Sequence, residues 1–446
     1  MNTLTRNRLA LFGGNPLISS QFLAWPVFDQ NEVQAVRAIA ESGQWGSDHP
    51  IVSQLESNFA KFQGTRHALA VTNGSQTMEM ILRALGIGPG DEVIVPAYTF
   101  VATATAVLMV GATPIVVDVQ ADAMTLDPEA FRTAITPRTR AVMTVHLAGV
   151  TGAIDEICQI SNSHNIAVIE DCAHAHGAEF KGRRTGGFGI AGSFSFQGGK
   201  VITSGEGGMI TTNDEQLYQR CWSLREGGRQ HQSFAQADFS RPSSNYRMTA
   251  FQAAVTQIQL DRFANEVPRR LSNIQLLDQG LSKIEGIKPQ YRHPESASPG
   301  YLYLFYYNPE AFNGLSRYLF VSALQAEGIP AGLSGYPPLY RTALFQNRAF
   351  NPAGLPVTDD FNGHPLPDYA SMFLPNVERI SRDVVCLPHV VMLGEPEQME
   401  RIVDAVCRIQ YHSHKMIRPT NKLVFRLATV QKKVRSKLRL DRRSTL

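Results

Sequence analysis

The 446-residue chain lacks the marks of several protein classes, and each absence narrows the reading. It has only five cysteines, Cys158, Cys172, Cys221, Cys386 and Cys407, an odd number without a C-x-x-C pair. A disulfide framework or a structural zinc site is therefore not expected, and a reducing compartment fits. No signal peptide is evident, because the apolar run after Arg6 and Arg8 is broken by Gly13-Gly14-Asn15-Pro16. There is no internal repeat. A composition of 43% hydrophobic and 18% charged residues, with 35 Gly and 25 Pro, excludes disordered and collagen-like chains. One uncharged stretch, 93–117, is long enough to cross a bilayer. Its Pro96, Pro114 and four threonines (Thr99, Thr103, Thr105, Thr113) instead read as strand, short helix, strand inside a soluble α/β core. The expectation is a cytoplasmic protein, long enough for two or three folded units.

The formal net charge of +3 conceals two opposite parts. Residues 1–410 hold 31 basic and 38 acidic residues, a net of −7; residues 411–446 hold 11 basic residues and one acid, a net of +10. A mildly acidic body with a basic tail is not a nucleic-acid-binding domain throughout.

Short β-branched runs alternate with helical patterns through the first 215 residues. Strands are expected at 68–72, 92–95, 114–119, 140–145, 166–170, 193–196 and 209–212. Met78, Ile81, Leu82 and Leu85 recur at helical spacing and stop at Gly86, and Asp127-Pro128 is a helix start. Alternation of this kind implies a mostly parallel sheet covered by helices. The expected organisation is a large α/β domain over 1–265, a smaller α+β domain over 266–410 and a basic tail over 411–446. Within the second, a helix is expected at 266–281, a strand at 301–307, helices at 316–326 and 397–409, and loops between 327 and about 375.

Four features carry candidate chemistry. Asn73-Gly74-Ser75-Gln76 joins a strand to a helix, where exposed backbone N–H groups attract an anion and Gly permits its close approach. Taken alone, this turn reads more readily as an ordinary helix cap. Ile169-Glu170-Asp171 ends an apolar strand, where ligands of open parallel sheets gather; its acid either holds a proton on a ring nitrogen or caps the next loop. The His174-x-His176 pair beyond it has no further spaced ligands, so no metal is expected. Ser193-Phe194-Ser195-Phe196 leads into Gln197-Gly198-Gly199-Lys200, a lysine in a Gly-rich turn where desolvation lowers its pKa and favours imine chemistry. The Gly205-Glu206-Gly207-Gly208 turn follows at once. An anion turn, a strand-end Asp and an imine-forming Lys are the three groups that pyridoxal phosphate requires.

With these residues in this order, the chain resembles the DegT-type (StrS-like) sugar aminotransferases, fold type I pyridoxal-phosphate enzymes, over nearly all of 8–410. The resemblance is carried by Gly88-Pro89-Gly90-Asp91-Glu92-Val93, Thr99-Phe100-Val101-Ala102-Thr103, Val145-His146-Leu147, Ile169-Glu170-Asp171, Phe194-Ser195-Phe196 with Lys200, Gly205-Glu206-Gly207-Gly208 and Asn245-Tyr246-Arg247-Met248. It implies that Lys200 is the Schiff-base lysine and proton shuttle, and that Asp171 pairs with the pyridine nitrogen. It also implies that His174, where much of the family has Gln, lies near the ring hydroxyl, that Phe100 stacks on the ring, and that Gly74, Ser75, Gln76 and Ser195 hold the phosphate. Asn245 would reach the phosphate of a neighbouring subunit, making a homodimer necessary. A branch that replaces the lysine with histidine dehydrates its substrates, and Lys200 argues against that branch.

Leu11-Phe12-Gly13-Gly14 and Gly335-Tyr336-Pro337-Pro338-Leu339-Tyr340 look like the cyclitol branch, which holds glutamine:scyllo-inosose aminotransferases and 3-amino-5-hydroxybenzoate synthases. The implied reaction is ping-pong transfer of an amino group from glutamine or glutamate to a keto-cyclitol or keto-sugar nucleotide. Trp45 and Tyr336 are candidates to line the acceptor pocket, or are core aromatics. Alternatives are an aromatising dehydration, and a non-catalytic regulatory relative that the intact Lys200 and Asp171 disfavour. In the tail, Leu423, Leu427, Val430, Val434 and Leu438 follow helical spacing among Lys and Arg. This reads either as a basic amphipathic helix for an anionic membrane surface or acidic partner, or as a solvated extension.

Overall fold

The computed structural model describes residues 7–229, 242–333, 335–351, 354, 356–360 and 362–417. The amphipathic pattern of the tail lies outside the described residues. Along the chain run β1 (His67–Val71), β2 (Glu92–Pro96), β3 (Thr113–Val117), β4 (Thr139–Val145) and β5 (Ala167–Asp171), then a small hairpin of β6 (Glu179–Phe180) and β7 (Arg183–Arg184), then β8 (Ala191–Ser195) and β9 (Gly208–Thr212). Seven of these form one sheet in the order β1-β9-β8-β5-β4-β2-β3. β5 pairs parallel with β4 and β8, and β2 pairs parallel with β3 and β4. β9 alone runs antiparallel to its neighbours, β1 and β8.

All seven expected strands are present, within two residues at each end. They lie between two apolar layers because alternate residues face opposite sides. Val93, Val95, Ala141, Met143 and Ile169 pack on one face with Met78, Ile81 and Leu82 of the helix Gly74–Ala84. Ile94, Val142 and Val168 pack on the other with Ile154, Ile157 and Phe131 of the helices Ile154–His164 and Pro128–Thr133. Truncating the fully buried Ile81 to Ala would cost about 2–5 kcal/mol. The uncharged stretch 93–117 is β2, the helix Ala102–Met109 and β3; among the described residues no helix is long and apolar enough to cross a membrane.

β10 (Ile287–Pro289), β12 (Leu302–Tyr307), β14 (Val384–Pro388) and β13 (Gly332–Leu333) form a four-stranded sheet in that order, while β11 (Ser296–Ala297) joins β6 and β7. Its core also takes Leu9, Leu11 and Ile18 from the start of the chain. The N-terminal segment, expected with the large domain, therefore packs on the second core. The cause is a buried pair: Glu327 accepts from the Ala10 and Leu17 amides and from Arg408, and Arg408 also donates to the carbonyls of Asn7, Arg8 and Asn15.

Two helices depart from expectation. The helix expected from residue 266 runs from Ala250 to Leu281 through Pro268, so the 265/266 boundary falls inside one element. Thr249 and Gln252 form a reciprocal capping box at its start, well upstream of the proline. The last helix spans Pro396–Met416, and His412, Ser413 and Met416 are buried, so it continues past residue 410.

Candidate functional site

At the carboxyl ends of β1, β4, β5 and β8 lies a cavity of about 740 Å³. This is where a parallel sheet presents its strand ends and the helix N-termini that follow them. Gly74, Ser75, Gln76, Phe100, Asp171, His174, Ser195, Lys200 and Tyr336 all line it. Nine of the eleven residues singled out from the sequence thus meet on one wall, although they span more than 260 positions of chain.

The helix Gly74–Ala84 opens into the cavity. The Asn73 side chain caps the Gln76 amide (2.9 Å), and the first helical amides, those of Gly74 and Ser75, have no acceptor within the helix. A Cβ on Gly74 would stand 2.6 Å from the Cβ of Ser195, so glycine is what lets the helix start lie against β8. Thr77 ties the two elements by hydrogen bonding both the Gly74 carbonyl and the Ser193 hydroxyl.

Asp171 is the last residue of β5 and is buried. Its Oδ2 accepts from the Thr103 hydroxyl (2.8 Å), which pairs with Thr99 (2.9 Å), and its Oδ1 accepts from the Ala173 amide (3.1 Å). These bonds fix the carboxylate at the cavity wall. Lys200 follows β8 in a turn closed by its own amide on the Gln197 carbonyl (2.8 Å). Burial lowers its pKa to about 8, while the charge of Asp171 acts in the opposite direction.

His174 is held neutral, well below its usual range, by burial and then by the nearby Lys200 charge. Its Nδ1 faces the Ala148 amide (3.4 Å) and its Nε2 faces the Tyr336 hydroxyl (3.3 Å). His176 points elsewhere. It packs against Phe194 and Phe196, neither ring nitrogen has a hydrogen-bond partner, and burial drives its pKa down to about 3.

Two expected residues stand apart from this wall. Trp45 is exposed, donating from Nε1 to the Ala40 carbonyl (3.3 Å) and lying against Phe251 (ring centroids 5.9 Å apart). Its carbonyl accepts from the Ala250 amide, which fixes it on the long helix rather than in the cavity of its own chain. Asn245 is also exposed, bridged through its backbone to Glu226, with its Oδ1 accepting from the Arg247 amide (3.1 Å).

Four supports went unread in the sequence. Thr99 lies in the bend after β2 and Thr103 in the first turn of the helix Ala102–Met109, close enough to hydrogen bond. The third, Tyr301, has no local signal. It reaches the cavity from the start of β12, with its ring 4.1 Å from His174 and 4.5 Å from Lys200 Nζ. Trp25 adds a tether to the lysine turn, donating from Nε1 to the Gly198 carbonyl (3.1 Å).

Comparison with known proteins gives this arrangement its context. Residues 26–367 match the DegT/DnrJ/EryC1/StrS aminotransferase family. The chain is 36% identical over 410 residues to a putative L-glutamine:3-amino-2,3-dideoxy-scyllo-inosose aminotransferase of Micromonospora echinospora, covering 90% of this chain and 97% of that one. It is equally 36% identical over 403 residues to the 3-amino-5-hydroxybenzoate synthase of Amycolatopsis mediterranei (strain S699), covering 87% and 98%. The solved aminotransferase from Psychrobacter cryohalolentis superimposes with a TM-score of 0.78 at 30% identity, over 88% of this chain and all of that one.

The cavity passes a chemical test for the cofactor of such enzymes, pyridoxal phosphate. It combines an anion-attracting helix start, a buried carboxylate held by hydroxyl and amide donors, and a desolvated amine. The chain belongs to the DegT/DnrJ/EryC1/StrS family and is a pyridoxal-phosphate-dependent aminotransferase.

Proposed function

We propose that the enzyme moves the amino group of L-glutamine, or of L-glutamate, to the ketone of a cyclitol. The reading rests on the meeting in one cavity of Lys200, Asp171 and the Gly74 helix start, in a chain similar to relatives named for scyllo-inosose amination. The charge of the wall supports a neutral polyol over a sugar nucleotide. Among the described residues lining the cavity, Lys200 is the only lysine or arginine, against Glu79, Asp171 and Glu206. A nucleotide diphosphate would find little counter-charge there.

In this reading Gly74, Ser75, Gln76 and Ser195 hold the cofactor phosphate through amides, hydroxyl and helix dipole. Phe100 would lie on the ring face, His174 would lie beside the ring hydroxyl, and Asp171 would keep the ring nitrogen protonated. The cofactor, when bound, supplies an electron sink for the donor's Cα–H bond. Lys200 would hold it covalently at rest, and its free Nζ would take the Cα proton and return it. An amine titrating near 8 is suited to doing both at neutral pH. Because His174 Nδ1 accepts from Ala148, its Nε2–H donates to Tyr336, leaving the Tyr336 hydroxyl proton for an acceptor oxygen. Exposed Asn245 serves the phosphate of a second subunit, and the enzyme acts as a homodimer.

The test is a half-reaction screen. Enzyme loaded with each amino donor should recover the spectrum of lysine-bound cofactor with a keto-cyclitol and not with a keto-sugar nucleotide; the reverse pattern defeats the cyclitol reading. The similarity to 3-amino-5-hydroxybenzoate synthase favours a second reading, an aromatising dehydration. Formation of an aromatic product from an aminodehydroshikimate-like compound would select it. The +10 of residues 411–446 supports a cytoplasmic enzyme able to rest on an anionic membrane. Equal flotation on anionic liposomes of the full chain and of a chain ending at Ile417 would end that idea.

A further inference from the structure

Lys200 has a neighbour that belongs to none of the motifs around it. Tyr301 comes from the four-stranded sheet, and its amide donates to the Ala148 carbonyl (3.3 Å) in the turn after β4. Its ring centroid is 4.5 Å from Lys200 Nζ, and it stacks on His174 at 4.1 Å with 28° between the planes. His389 lies nearly parallel to it, 16° off at 6.0 Å. Burial raises the Tyr301 phenol pKa and lowers those of both imidazoles, so the ring beside the amine and the two stacked on it are all neutral.

The neighbouring carboxylate carries one donor on each oxygen and keeps lone pairs for the cofactor's ring nitrogen. Both oxygens of Asp171 accept hydrogen bonds, from Thr103 and Ala173, and among the described residues the Lys200 ammonium makes no ion pair or hydrogen bond. An aromatic face attracts an ammonium through its quadrupole, yet it offers no lone pair to take the proton. A lysine seated there stays near the reacting carbon without being trapped.

Resting on the aminotransferase reading, the geometry points to Tyr301 as a positioning residue whose ring holds Lys200 Nζ during proton transfer. The proton leaves the donor's Cα for the neutral amine, which becomes an ammonium, and then leaves Nζ for the carbon protonated next; the lysine ends as it began. Between the two steps the ammonium must neither swing to solvent nor settle on Asp171, and the Tyr301 face meets both demands. The hydroxyl has no part in this, so the role belongs to the ring.

The test compares holoenzymes carrying Tyr301→Phe, Tyr301→Leu and Tyr301→Met in the amino-donor half-reaction, followed by absorbance with ordinary and Cα-deuterated donor. The Phe variant should stay within about twofold of the parent, and the Leu and Met variants should slow by about tenfold, the scale of one desolvated cation–π contact. Their KM for the donor should hold while the deuterium isotope effect rises, since the proton step alone is impaired. Loss of folded protein would lower the rate without moving the isotope effect. Leu and Met variants with the parental isotope effect, or a Phe variant as slow as Leu, overturn the proposal. A parent enzyme inert with every donor would instead overturn the aminotransferase reading. The seat would then be judged by cofactor loading of the stripped protein, where equal loading rates for Leu and Phe overturn it.

Discussion

Two cations in this molecule, the buried Arg408 and the half-buried Lys200, are treated in opposite ways. Arg408 is saturated: it pairs with the fully buried Glu327 at 2.9 Å and donates to three backbone carbonyls of the N-terminal segment. Lys200 is left under-solvated and, among the described residues, without an ion pair, beside an aromatic ring and a carboxylate held by Thr103 and Ala173. The first arrangement fixes a charge permanently and fastens residues 7–17 to the second core. The second makes the charge easy to lose, which a proton carrier needs.

Removing each cation should separate the two roles. Lys200→Ala should lower turnover on the order of a thousandfold or more and abolish the visible absorbance of lysine-bound cofactor, as read by spectrophotometry and steady-state assay. Full activity with that absorbance intact would erase the distinction. Glu327→Gln should have the contrary signature. It leaves Arg408 buried beside a neutral partner and should cost about 3–5 kcal/mol in urea unfolding, with kcat preserved where the protein remains folded.

A third effect concerns pH. The Lys200 pKa is about 8 in the folded protein against an ordinary 10.5, so between these values the unfolded chain binds more protons and stability rises with pH. In the protein stripped of cofactor, Lys200→Met should therefore raise the denaturation midpoint at pH 7, and the gain should shrink as the pH climbs from 8 to 10.5. A gain independent of pH would mean that packing, not charge, accounts for it. The smallest effect sharpens the comparison at the cavity mouth. Tyr336→Phe removes one neutral hydrogen bond and should raise the KM for the ketone roughly fivefold, with the donor half-reaction unchanged.

Much of this site was legible because its pieces are local. A strand ending in Asp171, a Gly-rich turn carrying Lys200 and a helix start at Gly74 each impose their own sequence requirement within a few residues. The long helix was half missed because it was expected only from residue 266, whereas its capping box lies upstream at Thr249 and Gln252. Trp45 was left open between the acceptor pocket and the core, because an aromatic residue shows its apolar character in sequence but not its partner, here Phe251. Tyr301 was invisible as a site residue because nothing near it in sequence concerns lysine chemistry; the four-stranded sheet carries it to the cavity.

The sequence by itself determined the seven strands of the central sheet, the covered α/β architecture and the Gly-rich turn that carries Lys200. Periodicity, turn chemistry and helix capping are interactions among neighbours in the chain. Tertiary structure alone decided which strands pair, that β9 runs against its neighbours, that the N-terminal segment packs on the second core, and that Lys200 faces Tyr301. Those outcomes depend on contacts between residues tens to hundreds of positions apart, such as Arg408 with Asn7 and Tyr301 with Lys200. Burial then does what no local pattern encodes, moving the Lys200 amine into the range where it can both take and release a proton.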